Sequence, residues 1–305
     1  MPDRTYAHER IGLGAGALAL LASFLWGGNQ IAIKAGLAGM PPLAMAAARF
    51  GIGLAIVTVA ARVMGVSIRV PRQTWRPLVG LGVLFIVQII CLNVGTVYTN
   101  ASRSTVLITT YPFFTAFFAH FFIPGDRLDL PKASGLVLAF AGVVLMFAGG
   151  LTQGGSDLLV GDLVVLLSGL LLGLRQVVLK RILHGLHPYQ VLFWQATAGV
   201  PVFVALSVLL EPGSVYGTTP GVMAGVAYQG VVVAGFCFIL WVSLLKRHSA
   251  SRLGVFAFST PIVGVLFSAL IMGDPLTPML MASMALVAAG IVVVNADASR
   301  WVRTP

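Results

Sequence analysis

Few polar side chains in this sequence could do chemistry, and most of them lie deep inside long apolar runs. Gln88 sits at the centre of one run, with Asn93 one to two turns beyond it; Trp26, Asn29 and Gln30 share another, and Tyr228 and Gln229 a third. Amides and aromatic rings suit a neutral or zwitterionic ligand with an apolar body, the amides fixing its polar ends and the rings covering the rest. Their alternative role is hydrogen bonding between helices. Two arginines also fall within apolar runs. Arg175 is five residues from Lys180 and could snorkel to an interface, whereas Arg49 is seven residues from Pro42, where snorkelling is harder. If either faces a cavity, a ligand carboxylate is its natural partner. Pro112 and Pro261 each remove a backbone hydrogen bond from the middle of a run. The freed backbone either lines a cavity, together with Thr110, Tyr111, Ser259 and Thr260, or only kinks the helix.

What is missing narrows the chemistry further. No Asp or Glu falls near the middle of an apolar run; Asp162, the nearest, lies one turn in. A nucleophile with its base, paired aspartates and the HExxH zinc motif are all missing at depth, so enzymatic readings fail. No GxxxxGK[ST] loop is present, so ATP is not expected as a direct energy source. Cys91 and Cys237 lie in apolar runs without metal-ligand spacing and read as core residues. Neither a metal nor a cofactor is expected.

These side chains must be positioned by elements that the composition identifies as membrane helices. Of the 305 residues, 58% are apolar and 9% charged, with 35 glycines and a mean hydropathy of +0.97. An ordinary soluble domain carries about 25% charged residues. Nine acids and nineteen bases cannot cover the surface of a 32 kDa globule. The net charge of +10 does not mark a nucleic-acid surface, because the bases sit in short groups between apolar stretches.

Ten runs are long enough to cross a hydrocarbon core: 11–33, 42–63, 77–98, 102–123, 131–150, 158–180, 188–210, 220–245, 252–272 and 275–296. The first is longer than a signal peptide and lacks a small-residue cleavage site, so it reads as a retained span. With a cytoplasmic N-terminus, fifteen of the nineteen bases fall in inner segments, Lys34 and Arg103 in outer ones, and Arg49 and Arg175 in the membrane. Both termini are therefore expected in the cytoplasm, as tails 1–10 and 297–305, and the chain in the cell (inner) membrane.

The two halves of the sequence repeat each other. Ala101-Ser102-Arg103 and Pro112 recur as Ala250-Ser251-Arg252 and Pro261 at an offset of 149, and Gly125-Asp126 recurs as Gly273-Asp274 at 148. Ser23, Gly27, Gln30, Lys34, Gly39, Pro42 and Gly53 face Gly169, Gly173, Gln176, Lys180, Gly185, Pro188 and Gly199 at 146. A unit of five spans joined to its copy by a short loop enters the membrane the other way round. The expected fold is an all-α integral membrane protein of ten transmembrane helices, with residues 11–150 and 158–296 as inverted five-helix repeats. Small residues at every fourth position, Ala15, Ala19, Ser23 and Gly27, partly repeated by Gly161, Gly169 and Gly173, would let helix backbones approach closely.

Two five-span repeats, each ending in a Pro-containing span, a Gly-Asp loop and an Ala/Gly-rich last span, resemble the EamA family of the drug/metabolite transporter superfamily over nearly the whole chain. The resemblance implies alternating access about a central cavity lined mainly by spans 1, 3, 4, 6, 8 and 9, which leaves span 7, with Trp194 and Gln195, at the periphery. It implies a secondary transporter exporting small metabolites, amino acids being the leading class. The alternatives are a passive channel and a carrier of organic anions, sugar phosphates or toxic compounds. The expected partners are a small-molecule substrate and the lipid bilayer, with neither nucleic acid nor ATP, and the sequence is compatible with a monomer.

Overall fold

The computed structural model describes residues 12–123, 130–153, 155–183, 185–213, 216–248, 253 and 255–296, and no strand occurs among them. The elements, in chain order, are α1 (Leu13–Gly27), α2 (Asn29–Leu37), α3 (Pro42–Val63), α4 (Trp75–Tyr98), α5 (Ala101–Ile108), α6 (Tyr111–Phe122), α7 (Leu130–Gln153), α8 (Gly155–Leu183), α9 (Pro188–Leu210), α10 (Pro220–Ala227) and α11 (Phe238–Arg247). After them come α12 (Ser259–Met272) and α13 (Pro278–Ala296). Apolar runs with so few charges become helices because hydrocarbon offers backbone groups no partner outside the segment.

Among the described residues, seven helical stretches are long and apolar enough to cross a membrane: Leu13–Leu37, Pro42–Val63, Arg72–Tyr98, Ala101–Phe122, Ser156–Leu183, Pro188–Leu210 and Pro220–Arg247. Ala133–Ala148, Ser259–Met272 and Pro278–Val293 are apolar but shorter. Prolines open α3, α9, α10 and α13, where a missing N–H costs nothing. The α3 helix stops at a left-handed glycine: Gly65 has φ 65°, its N–H donates to the Arg62 carbonyl at 3.1 Å, and that of Val66 donates to Ala61 at 2.8 Å.

Four of the apolar stretches are not continuous α-helix. Gly28 separates α1 from α2, Thr109 and Thr110 separate α5 from α6, a π-helical segment (Tyr228–Cys237) joins α10 to α11, and a 3₁₀ turn (Val255–Phe258) precedes α12. Pro112 is the second residue of α6 and Pro261 the third of α12, so both prolines stand at breaks. Side chains take up carbonyls there. Thr109 Oγ1 donates to Val106 O at 2.9 Å, Thr110 Oγ1 to Leu107 O at 2.6 Å, and Ser259 Oγ to Phe256 O at 2.9 Å.

One face of the bundle, called far here, carries residues 38–41, 99–100, 211–213, 216–219 and 273–277 and is tied by a set of polar contacts. Lys34 and Arg103, which the sequence assigns to outer segments, both lie in helices and both have partners. Because α2 continues to Leu37, the Lys34 ammonium reaches the end of α4 and donates to the carbonyls of Thr96, Val97 and Thr99 at 3.0, 3.1 and 2.7 Å. Arg103 is buried in α5 and forms an ion pair with the fully buried Asp162 of α8. Its Nη2 also donates to the Met146 carbonyl of α7 at 2.7 Å, and Thr99 Oγ1 donates to Asp162 Oδ1 at 2.7 Å. Glu211 accepts from the Leu43 and Ala44 amides at 2.8 and 3.1 Å, capping α3, and Asp274 accepts from the Ser102 amide at 2.9 Å, capping α5. The opposite, near face is held by Gln190, which donates to Ser67 O and Arg69 O at 2.9 and 2.6 Å, and by Trp194, which donates to Ile68 O at 2.8 Å. The repeat residues Gly125, Asp126, Ala250, Ser251 and Arg252 and both tails lie outside the described residues.

The small-residue ladders are contact lines. Ala19, Ser23 and Gly27 are buried, and a Cβ on Gly27 would come 2.7 Å from the Val263 side chain of α12. On α8, a Cβ on Gly161 would lie 2.8 Å from both Thr99 N and Tyr98 C and 2.9 Å from Gly95 O, all backbone atoms. Gly161→Ala is therefore expected to destabilise the protein by about 1–3 kcal/mol, the cost of overpacking. Gly51→Ala, where a Cβ meets nothing within 4 Å, should be neutral or stabilise by up to about 1 kcal/mol. Melting temperatures of the two variants in detergent check this, and equal values would overturn it.

Candidate functional site

The helix breaks converge on a cavity of about 120 Å³. Trp26, Asn29 and Gln30 reach it from the α1/α2 break, Thr109 and Tyr111 from the α5/α6 break, and Thr260 from the start of α12. Arg49 of α3, Gln88 of α4, Arg175 and Gln176 of α8 and Gln195 of α9 complete the polar lining. Much of the apolar wall comes from Leu172, Leu179, Leu192, Phe238, Trp241 and Val242.

Several lining groups are held in place but left with free capacity. Gln88 Nε2 donates to Ser168 Oγ at 2.9 Å, and that hydroxyl donates back to the Gln88 carbonyl at 2.9 Å. This fixes the amide plane, while Gln88 Oε1 is buried without a hydrogen-bond partner among the described residues. Asn29 Oδ1 is left in the same way. Arg49 Nη1 donates to Gln229 Oε1 at 3.2 Å and Gln229 Nε2 donates to Ala32 O at 2.9 Å, yet Arg49 Nε has no partner among the described residues. Arg175 leaves both Nε and Nη1 without one. Buried polar atoms of this kind are costly, and these belong to residues that line the cavity.

Aromatic rings surround both guanidiniums. Arg49 stands 4.5 Å from the Phe50 ring centroid, and Arg175 lies 5.4 Å from that of Phe85 and 5.9 Å from that of Phe238. The Phe50 ring in turn packs against Phe85 at 4.7 Å and Phe238 at 6.2 Å, so the two cations share one aromatic cluster. Trp26 and Trp241 form an edge-on pair at 4.9 Å beside them.

Of the residues proposed from sequence, Trp26, Asn29, Gln30, Arg49, Gln88, Tyr111, Arg175 and Thr260 line this cavity. The others support it from outside. Asn93 Nδ2 donates to Pro42 O at 2.9 Å, Tyr228 OH to Leu25 O at 2.7 Å beside the Gly28 break, and Gln229 stands behind Arg49. The Ser259 hydroxyl is occupied by Phe256, and buried Pro112 and Pro261 shape the breaks. Sequence reasoning missed Gln176, Trp241 and Gln195. The first was recognisable as the repeat partner of Gln30, but Gln195 was set aside with span 7, and α3 and α9 both contribute to the wall.

The comparisons with known proteins agree with a membrane carrier. The chain is 22% identical over 275 residues to "Uncharacterized transporter YoaV" of Bacillus subtilis, covering 88% of this chain and 92% of that protein. It is 25% identical over 300 residues to "Probable amino-acid metabolite efflux pump" of Escherichia coli, covering 94% and 96%. A solved crystal structure superposes with a TM-score of 0.72 at 22% identity, covering 95% of this chain and 99% of the other, which establishes a shared fold. The model of the EamA-like transporter family matches residues 14–148 and again residues 159–296. With almost the whole chain accounted for by those two matches, the protein belongs to the EamA-like transporter family.

Proposed function

We propose that this chain is a secondary transporter that exports small metabolites, amino acids foremost, by alternating access around the cavity described above. One observation carries the reading. The cavity is lined by the side-chain amides of Gln88 and Asn29 together with the guanidiniums of Arg49 and Arg175. An amino acid's ammonium and carboxylate call for that combination. The Escherichia coli relative, named for amino-acid metabolite efflux, supports the same class.

In this reading the three shorter apolar helices also cross, giving ten spans in two inverted repeats. The paired family matches support this, and so does the lining itself. Asn29 and Arg175, Gln30 and Gln176, and Arg49 and Gln195 are repeat partners at the 146 offset, and Tyr111 and Thr260 at 149; all eight line the cavity. Inverted halves can exchange conformations, so a site built from matched positions can be presented to either side in turn. The far face is assigned to the outside and both termini to the cytoplasm, in the cell (inner) membrane. Neither ATP nor a metal enters the mechanism.

Purified protein in liposomes should release labelled amino acids with saturation, faster when unlabelled substrate is present on the far side; flux that never saturates would favour a pore instead. Gln88→Ala is expected to lower transport by about tenfold, one charge-assisted hydrogen bond's worth, with normal amounts of protein in the membrane. Undiminished transport would remove Gln88 from the site. For orientation, a cysteine at Ser156 should react with an impermeant thiol reagent added to intact cells and one at Gln73 should not, the reverse pattern inverting the assigned topology.

A further inference from the structure

The charge balance of the cavity points to a narrower substrate class. Arg49 is 1% exposed and Arg175 7%, both line the cavity, and they lie within reach of each other's field. Neither forms an ion pair with a described acid. Among the described residues the one ion pair is Arg103–Asp162. The remaining described carboxylates, Asp157, Glu211 and Asp274, stand at the far ends of helices, where Glu211 and Asp274 cap α3 and α5. A buried cation without a counter-ion costs several kcal/mol, and the faces of Phe50, Phe85 and Phe238 offset only part of that. Both guanidiniums line the cavity, and a guanidinium's planar fork of donors suits carboxylate oxygens. A neutral amino acid brings one carboxylate to two guanidiniums and no net charge; one with an acidic side chain brings two carboxylates and one net negative charge, so that each guanidinium can face a carboxylate.

We infer that the cavity selects amino acids with an acidic side chain: Arg49 and Arg175 each hold one carboxylate, and Gln88 Oε1 and Asn29 Oδ1 receive the ammonium. The inference rests on the transporter reading above and specifies its substrate. It also gives Gln229 a task, since the bond that its Oε1 accepts from Arg49 Nη1 at 3.2 Å orients that guanidinium.

The test compares L-glutamate with L-glutamine, which have the same shape and differ by one charge, in liposomes containing the full chain. Glutamate should be carried with a half-saturating concentration lower by about tenfold or more, the worth of one charge-assisted contact. Succinate should compete and inorganic phosphate should not. Arg175→Gln and Arg49→Gln should each erase the preference for glutamate, while Arg175→Lys should keep part of it. If the arginine variants fail to fold, the wild-type comparison decides alone. Equal handling of glutamine and glutamate would overturn the inference and leave the transporter reading standing. Inhibition by phosphate but not by glutamate would overturn it in favour of phosphate esters. A cooperatively melting preparation that carries no amino acid would overturn both readings.

Discussion

The Arg103–Asp162 ion pair is the contact around which the far half of the bundle is organised. It is closed off from solvent, it joins α5 to α8, and through Met146 and Thr99 it also fixes α7 and the end of α4. Removing one partner from such a pair typically costs about 3–5 kcal/mol, because the charge left behind has no solvent to turn to. The same constraint explains its neighbours. Glu211 and Asp274 cap helix starts and Lys34 caps a helix end, each charge meeting the helix pole of opposite sign. With these carboxylates committed at the far face, the described lining of the cavity has arginines and no acid.

The breaks in four helical stretches follow from what the cavity needs. A continuous helix bonds its own backbone completely and presents only side chains. A stretch interrupted by glycine, proline, a π segment or a 3₁₀ turn bends, and so aims Trp26, Asn29, Tyr111 and Thr260 at a common point. Hydroxyls of Thr109, Thr110, Ser259 and Tyr228 then satisfy carbonyls beside the interruptions. The polar residues near the breaks thus divide into those that face the cavity and those that keep the bent backbone bonded.

Much of this was legible in the sequence, because apolar length and the placement of proline act locally. The helical stretches follow the apolar runs, and Pro112 and Pro261 mark interruptions. Pairing across helices was not legible. Arg103 reads as an outer base at the start of its run because nothing local reveals Asp162, 59 residues away. Lys34 reads as an outer base because its charge ends the apolar run at residue 33, whereas the helix continues to Leu37. Helices that are apolar all round carry no stripe to show which face turns inward. For that reason Gln195 and Trp241 could not be told from residues facing a neighbouring helix, and Asn93 and Tyr228 looked like site residues.

The glycine contacts differ in a way that bears on how the chain can change. At Gly53 the atom that a new methyl would strike first is the Cβ of Ala234, at 2.8 Å. A second substitution, Ala234→Gly, could restore that space. At Gly161 the three nearest atoms are all backbone, two from Thr99 and Tyr98 and one from Gly95. No exchange of side chains across that seam can make room, so a lesion there has no second-site suppressor among the residues it touches. Beside the Arg103–Asp162 pair, then, the sequence is free to revert but not to compensate.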